Sequence, residues 1–315
     1  MNSVTGGGIN NYMLQNRLEQ ILGQLDAWQF PELIEDMPHG DMPGDKVMIS
    51  DALVPHAQTI FKLLIKMMKN KGDSKYVISI FGGSGSGKSV TTSLLTYYLN
   101  AAGIKTYALS GDNYPRRIPM YNDAERLSIF RSEGLKGLLK EGLYSEDAQK
   151  VLDELWKKET DSDPKETEAY PWLKAYQAYG REGLKGYLGE DKEQDYAQIN
   201  WVLDAFKQGN EKIWLKRMGR TEDARWYDHV DFSDTDVLLL EWTHSGAEQV
   251  KGVDISICLR STPEETKAYR LFRARDTGAD SPFVTMVLEI EQEKLDRRME
   301  NADIILSKKG EVLRP

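Results

Sequence analysis

One octapeptide in this chain has the residue types and spacing of a phosphate cradle: Gly82-Gly83-Ser84-Gly85-Ser86-Gly87-Lys88-Ser89. Two glycines separated by four residues and followed by lysine and serine let backbone amides turn inward and approach phosphate oxygens without Cβ clashes. A helix starting at the same point would present its positive N-terminal end to the same anion. Lys88 is placed to contact the β and γ phosphates of a nucleoside triphosphate, Ser89 to ligate magnesium, and Val90 to continue the nucleotide contacts.

Binding a triphosphate is not yet transferring a phosphoryl group. Transfer also needs a group to prime the acceptor, an acid near the metal and positive charge over the migrating phosphoryl. Asp112, in Ser110-Gly-Asp-Asn-Tyr-Pro115, is the candidate base and a candidate metal neighbour; capping of a turn is its plainer use. Glu241 ends the apolar run Val237-Leu-Leu-Leu-Glu241, so a carboxylate leaves a buried strand where a metal-bound water could be held. Arg270, Arg273 and Arg275 would lie on a helix starting near Pro263 and could close over the phosphates as a lid, although surface arginines are also common solvated residues.

The elements that must hold these groups are read from periodicity. Tyr76–Phe81 reads as an apolar strand running into the loop, 89–102 as the helix leaving it, and 104–110 as the next strand, which makes a βαβ unit. Further buried strands are expected at 237–240, 255–259 and 302–306, and a helix at 283–300. Alternation of this kind implies an α/β fold of the P-loop NTPase type, an open, mostly parallel sheet with helices on both faces. The expected division is a helical extension over 1–75, a core of 76–114 with 236–315, and an insertion over 115–235 that is mostly helix and loop. Within that insertion Glu133-Gly-Leu-Lys-Gly137 returns as Glu182-Gly-Leu-Lys-Gly186, an echo too short to establish a repeat. Asn70-Lys-Gly-Asp73 spells a guanine-specificity tetrad but precedes the phosphate loop, and is read as a loop.

Composition narrows the partners. The formal net charge of −9 in 315 residues argues against a polyanion-binding surface, so neither nucleic acid nor an anionic membrane is expected. No run approaches a membrane span, no secretory signal is visible in 1–11, and the lone Cys258 sits in an apolar run; a cytoplasmic location follows as the expectation. A homo-oligomer is left open.

These residues resemble the uridine kinase, phosphoribulokinase and bacterial pantothenate kinase group of P-loop kinases. The phosphate loop is similar to that group's own version, and Gly111-Asp-Asn-Tyr114 resembles its Asp-Ser-Phe-Tyr segment, whose aspartate is the group's base. Leu240-Glu-Trp-Thr-His244 is similar to the Glu-Gly-Leu-His stretch of phosphoribulokinases, with Trp242 in place of the glycine. Residues 196–209, 269–276 and 301–305 resemble the helix before the substrate segment, the lid helix and the closing strand. The resemblance implies an ATP- and Mg2+-dependent kinase acting on a hydroxyl of a small metabolite, with Asp112, Lys88, Glu241 and Arg273 in the chemistry. Acceptor contacts are expected from Tyr114, Arg116, Arg117, Lys216, Arg217, Arg220 and His244, whose cations suit a phosphorylated or carboxylated molecule. The tyrosine–aspartate pair and histidine that touch substrate in uridine kinases have no counterpart in Trp214-Leu-Lys-Arg-Met-Gly-Arg220. Alternatives are another small-molecule P-loop kinase, such as an adenylylsulfate or glycerate kinase, or a non-catalytic nucleotide-dependent switch.

Overall fold

The computed structural model describes residues 6–44, 47–267 and 281–314. The chain folds into two compact units, one of Met1–Tyr114, Tyr196–Thr266 and Leu295–Pro315, the other of Pro115–Asp195 and Lys267–Lys294.

The first unit is built on a six-stranded sheet. Its strands are β1 (Tyr76–Phe81), β2 (Thr106–Ser110), β5 (Val237–Glu241), β6 (Ile255–Arg260), β7 (Ile304–Ser307) and β8 (Val312–Arg314), in the order β2-β5-β1-β6-β7-β8. Every pairing is parallel except β7 with β8, so the architecture is the open, mostly parallel α/β sheet that the alternation of elements implies. Parallel strands are buried on both faces, which is why β1 and β5 are buried at every position and mostly apolar rather than alternating.

Odd and even positions on those strands serve different layers. Tyr76, Ile78, Ile80, Val237 and Leu239 face a core shared with α1 (Gly6–Leu22), α2 (Val54–Lys71) and α3 (Lys88–Ala101). Val77, Leu238 and Leu240 face a second core with Ile199, Val202, Leu203 and Phe206 of α8 (Tyr196–Lys207). The three- and four-residue spacing of Ile60, Phe61, Leu64, Ile65 and Met68 puts them all on the buried stripe of α2. The supposed guanine tetrad is the end of that helix: Gly72, at φ 74°, closes it in the left-handed conformation and donates its N–H to the Met68 carbonyl.

The expectation of helix and loop across 115–235 missed an antiparallel hairpin, β3 (Lys212–Met218) with β4 (Arg225–Asp231), which belongs to the first unit. Ile213 and Leu215 reach the core from β3, whereas β4 is exposed along nearly its whole length. With no buried face of its own, β4 carries no hydrophobic alternation to read.

The second unit is helical: α4 (Pro119–Lys140), α5 (Glu146–Lys158), α6 (Glu166–Ala169), α7 (Leu173–Lys185) and the part of α9 (Pro282–Met299) that ends at Lys294. Its core includes Phe130, Leu152, Tyr176, Leu184 and Ile290. Glycines of α4 and α7 have a packing cause here, two of them, Gly134 and Gly137, within the first Glu-Gly-Leu-Lys-Gly segment and one, Gly180, just before the second. A Cβ on Gly134 would lie 2.6 Å from the Tyr176 ring, one on Gly180 2.6 Å from the Phe130 ring, and one on Gly137 2.4 Å from the Tyr179 ring. Each helix thus uses glycines to admit the other's aromatic side chains.

Candidate active site

The first unit gathers its polar groups at the carboxyl ends of three adjacent strands. Residues 82–87 leave β1 and enter α3 at Lys88, the strand–loop–helix setting that the motif requires. Two features show why this loop must be glycine. A Cβ on Gly82 would stand 2.5 Å from the Leu259 carbonyl oxygen, and Gly87, at φ 98°, caps α3 in the left-handed region. Lys88 folds back across the loop and donates from Nζ to the Gly83 carbonyl at 3.1 Å. Ser86 is buried, and its hydroxyl has no hydrogen-bond partner among the described residues, an orphan that a phosphate oxygen would satisfy.

β5 lies between β1 and β2, and the register sets Glu241 opposite both Ile80 and Ser110. Its carboxylate, on a residue only 6% exposed, accepts a hydrogen bond from Ser89 Oγ at 3.3 Å. Two of the three residues expected near magnesium, taken from positions 152 residues apart, therefore meet at the start of α3, with Asp112 on the turn after β2. Among the described residues no cluster of three or more His, Cys, Asp or Glu could hold a metal. A divalent ion at this edge would rely on Ser89, Glu241, phosphate oxygens and water, the few-ligand pattern that Mg2+ favours.

Asp112 sits on the 3-10 turn Gly111–Asn113 that ends β2, exposed where its neighbours Gly111 and Asn113 are buried. At about 4.8 Å per strand spacing, two spacings set this turn about 10 Å from the phosphate loop, with Glu241 on the one strand between. The turn is seated against Trp242, whose ring occupies the space a Cβ on Gly111 would need. Trp242 stacks edge-on with His244 at 5.3 Å, and His244, buried, lies 3.4 Å from an Arg298 nitrogen.

The other expected acceptor contacts are dispersed. Tyr114 is fully buried in the core beside α8. Lys216 and Arg217 are buried on β3, and Arg220 is exposed just beyond it. Arg217 makes ion pairs with Asp41 at 2.7 Å and Asp228 at 2.9 Å. Arg116 and Arg117 belong to the second unit and are engaged there: Arg116 Nε donates to the Asp191 carbonyl at 2.5 Å, and Arg117 donates to Tyr187 and Glu125. Arg270, Arg273 and Arg275 lie outside the described residues.

Asp41 is the residue that sequence reasoning missed. It comes from the irregular stretch between α1 and α2, and its carboxylate is surrounded by four donors, from Ser110, Asn113, Tyr107 and Arg217. Burial pushes its pKa above the ordinary value, with Arg217 opposing that rise. In sequence it is one of several acids, with Glu35, Asp36 and Asp45, in a Pro- and Gly-rich segment, and nothing there sets it apart.

No family model matches the sequence. Over 257 residues, 81% of the chain, it is 38% identical to the bifunctional alpha-galactosidase/sucrose kinase AgaSK of Mediterraneibacter gnavus, and the match spans 22% of that protein. The chain thus corresponds to about a fifth of the length of this curated relative. Among solved structures, one described as a fructose transport system kinase from Silicibacter sp. TM1040 matches at 14% identity and a TM-score of 0.45, over 78% of this chain and 94% of the other. One described as a uridine kinase from Bacillus stearothermophilus matches at 14% identity and a TM-score of 0.34, over 93% and 98%. Both structural likenesses are too distant to assign an activity. Among the described residues no helix is long and apolar enough to cross a membrane.

Proposed function

We propose that this chain, a member of the uridine kinase-like P-loop kinases, transfers the terminal phosphoryl group of ATP to a hydroxyl of a small metabolite. The observation that carries this reading is the gathering of a phosphate loop, the Ser89–Glu241 pair and the Asp112 turn on three neighbouring strand ends. An anion-binding loop with its metal pair alone would suit a switch protein; a further carboxylate, Asp112, at the end of β2 one strand beyond suits transfer to an acceptor.

Each group has a role that its chemistry allows. Amides of 82–89 and Lys88 bind and orient the triphosphate, and Asp112 takes the proton from the acceptor hydroxyl as the oxygen attacks the γ-phosphorus. Ser89 and Glu241 would hold Mg2+, which supplies charge neutralisation at the phosphates when bound. The orphan Ser86 hydroxyl supports occupation of the loop by phosphate.

For the acceptor, the relative whose name includes a sucrose kinase makes sugars the first class to try, with nucleosides second. Arg217 is an acceptor ligand in this reading only if its two carboxylate partners release it, so the acceptor's polar contacts are assigned first to Asp112 and His244. A reducing, cytoplasmic setting suits the buried free thiol of Cys258. The test is ADP release from MgATP with a panel of sucrose, fructose, other sugars and uridine. Acceptor-dependent release with one class is expected; slow hydrolysis indifferent to every acceptor would favour the switch reading.

A further inference from the structure

The turn that carries Asp112 is gripped from both sides by a carboxylate far upstream in the chain. Asp41 Oδ1 accepts the Ser110 backbone N–H at 2.7 Å, just before the turn, and the Asn113 side-chain amide at 3.0 Å, at its end. Oδ2 accepts from the Tyr107 hydroxyl at 3.0 Å and from Arg217 at 2.7 Å. Asn113 in turn accepts the Met218 N–H at 3.0 Å, so the turn is also fastened to β3.

A side chain only 9% exposed, with both oxygens engaged, is costly to bury unless its partners are satisfied. Arg217 meets that condition: it is 7% exposed and shared between Asp41 and Asp228, and it also donates to the Tyr107 hydroxyl at 3.1 Å. The network fixes residues 110 and 113 while leaving Asp112 between them exposed. Misplacing a reacting group by about 1 Å can cost on the order of a hundredfold in rate.

We propose that Asp41 is a positioning residue for phosphoryl transfer, holding the Gly111–Asn113 turn so that Asp112 meets the acceptor hydroxyl. The segment before β1 is then part of the catalytic apparatus. The inference rests on the reading of Asp112 as the base.

The test compares Asp41→Asn, Asn113→Ala and Asp112→Asn, with the double variant of Asp41 and Asp112. Asn113→Ala releases the turn while keeping the Asp41–Arg217 pair, so it decides the matter if Asp41→Asn does not fold. Expected are tenfold or greater losses of kcat for Asp41→Asn and Asn113→Ala, with MgATP affinity within twofold of the parent. In the Asp112→Asn background the Asp41 change should alter residual turnover less than twofold, because residues acting as one unit are not additive. Unchanged kcat in Asn113→Ala, or an Asp41 loss that multiplies in full with that of Asp112→Asn, would overturn the inference. Full turnover in Asp112→Asn would instead remove the base itself and with it the proposed function's chemistry.

Discussion

Replacing Gly82 by alanine is the sharpest perturbation of the phosphate loop. The new methyl would sit 2.5 Å from the Leu259 carbonyl oxygen and 2.8 Å from Ser86 Oγ. A carbon and a carbonyl oxygen rest at about 3.3 Å or more, so roughly 0.8 Å must be found. Ser86 can rotate its hydroxyl away, but Leu259 is backbone of β6, paired in register with Leu306 of β7. The loop, not the strand, has to yield. Hydrogen bonds to charged groups are short, at about 2.7–2.9 Å, and contribute about 1.5–3 kcal/mol each. A displacement of this size should remove at least one of them, which at about 1.4 kcal/mol per decade weakens MgATP binding by about ten- to 150-fold. Calorimetric titration of Gly82→Ala with MgATP, beside thermal melting to show an intact fold, measures this. Affinity within threefold of the parent would refute the assignment of residues 82–89 as the triphosphate cradle.

Two further outcomes follow from packing and burial. Gly180→Val should lower the stability of the helical unit by about 1–3 kcal/mol, since the side chain would start 2.6 Å from the Phe130 ring and 2.7 Å from its carbonyl oxygen; an unchanged urea midpoint would contradict the packing account. Burial pushes the Cys258 thiol up to about 12. The folded state therefore keeps its proton while the unfolded chain loses it from about pH 9, so this contribution is complete below pH 9 and is lost as pH rises toward 12. Relative to Cys258→Ala, the parent should lose up to about 1.4 kcal/mol of stability per pH unit in that window, read from denaturant midpoints; parallel pH profiles would count against a buried protonated thiol.

What could be read in advance depended on whether a residue's neighbours in sequence are also its neighbours in space. The phosphate loop was legible because its amides, glycines and helix start form one continuous segment. The parallel strands were legible because burial on both faces leaves unbroken apolar runs such as Val237–Leu240. β4 was not, because its side chains are exposed and Arg-Trp-Tyr-Asp-His-Val-Asp has no apolar period. Arg217 suggested an acceptor ligand by charge alone, yet its partners Asp41 and Asp228 lie 176 and 11 residues away. No spacing rule joins 41 to 110, 113 and 217; only the folded sheet edge does. Glu241 shows the converse case: its partner Ser89 is 152 residues distant, but both sit at ends of readable elements, so the pair could be anticipated.

Central to the proposed chemistry is a carboxylate beside the cradle that primes an alcohol. It is tested most directly by Asp112→Asn, with MgATP affinity and acceptor-dependent ADP release measured on the same preparation. Affinity should stay within about twofold while turnover falls by about 10²–10⁴, the range for loss of a general base. Turnover equal to the parent's, or transfer and nucleotide binding lost together, would contradict it.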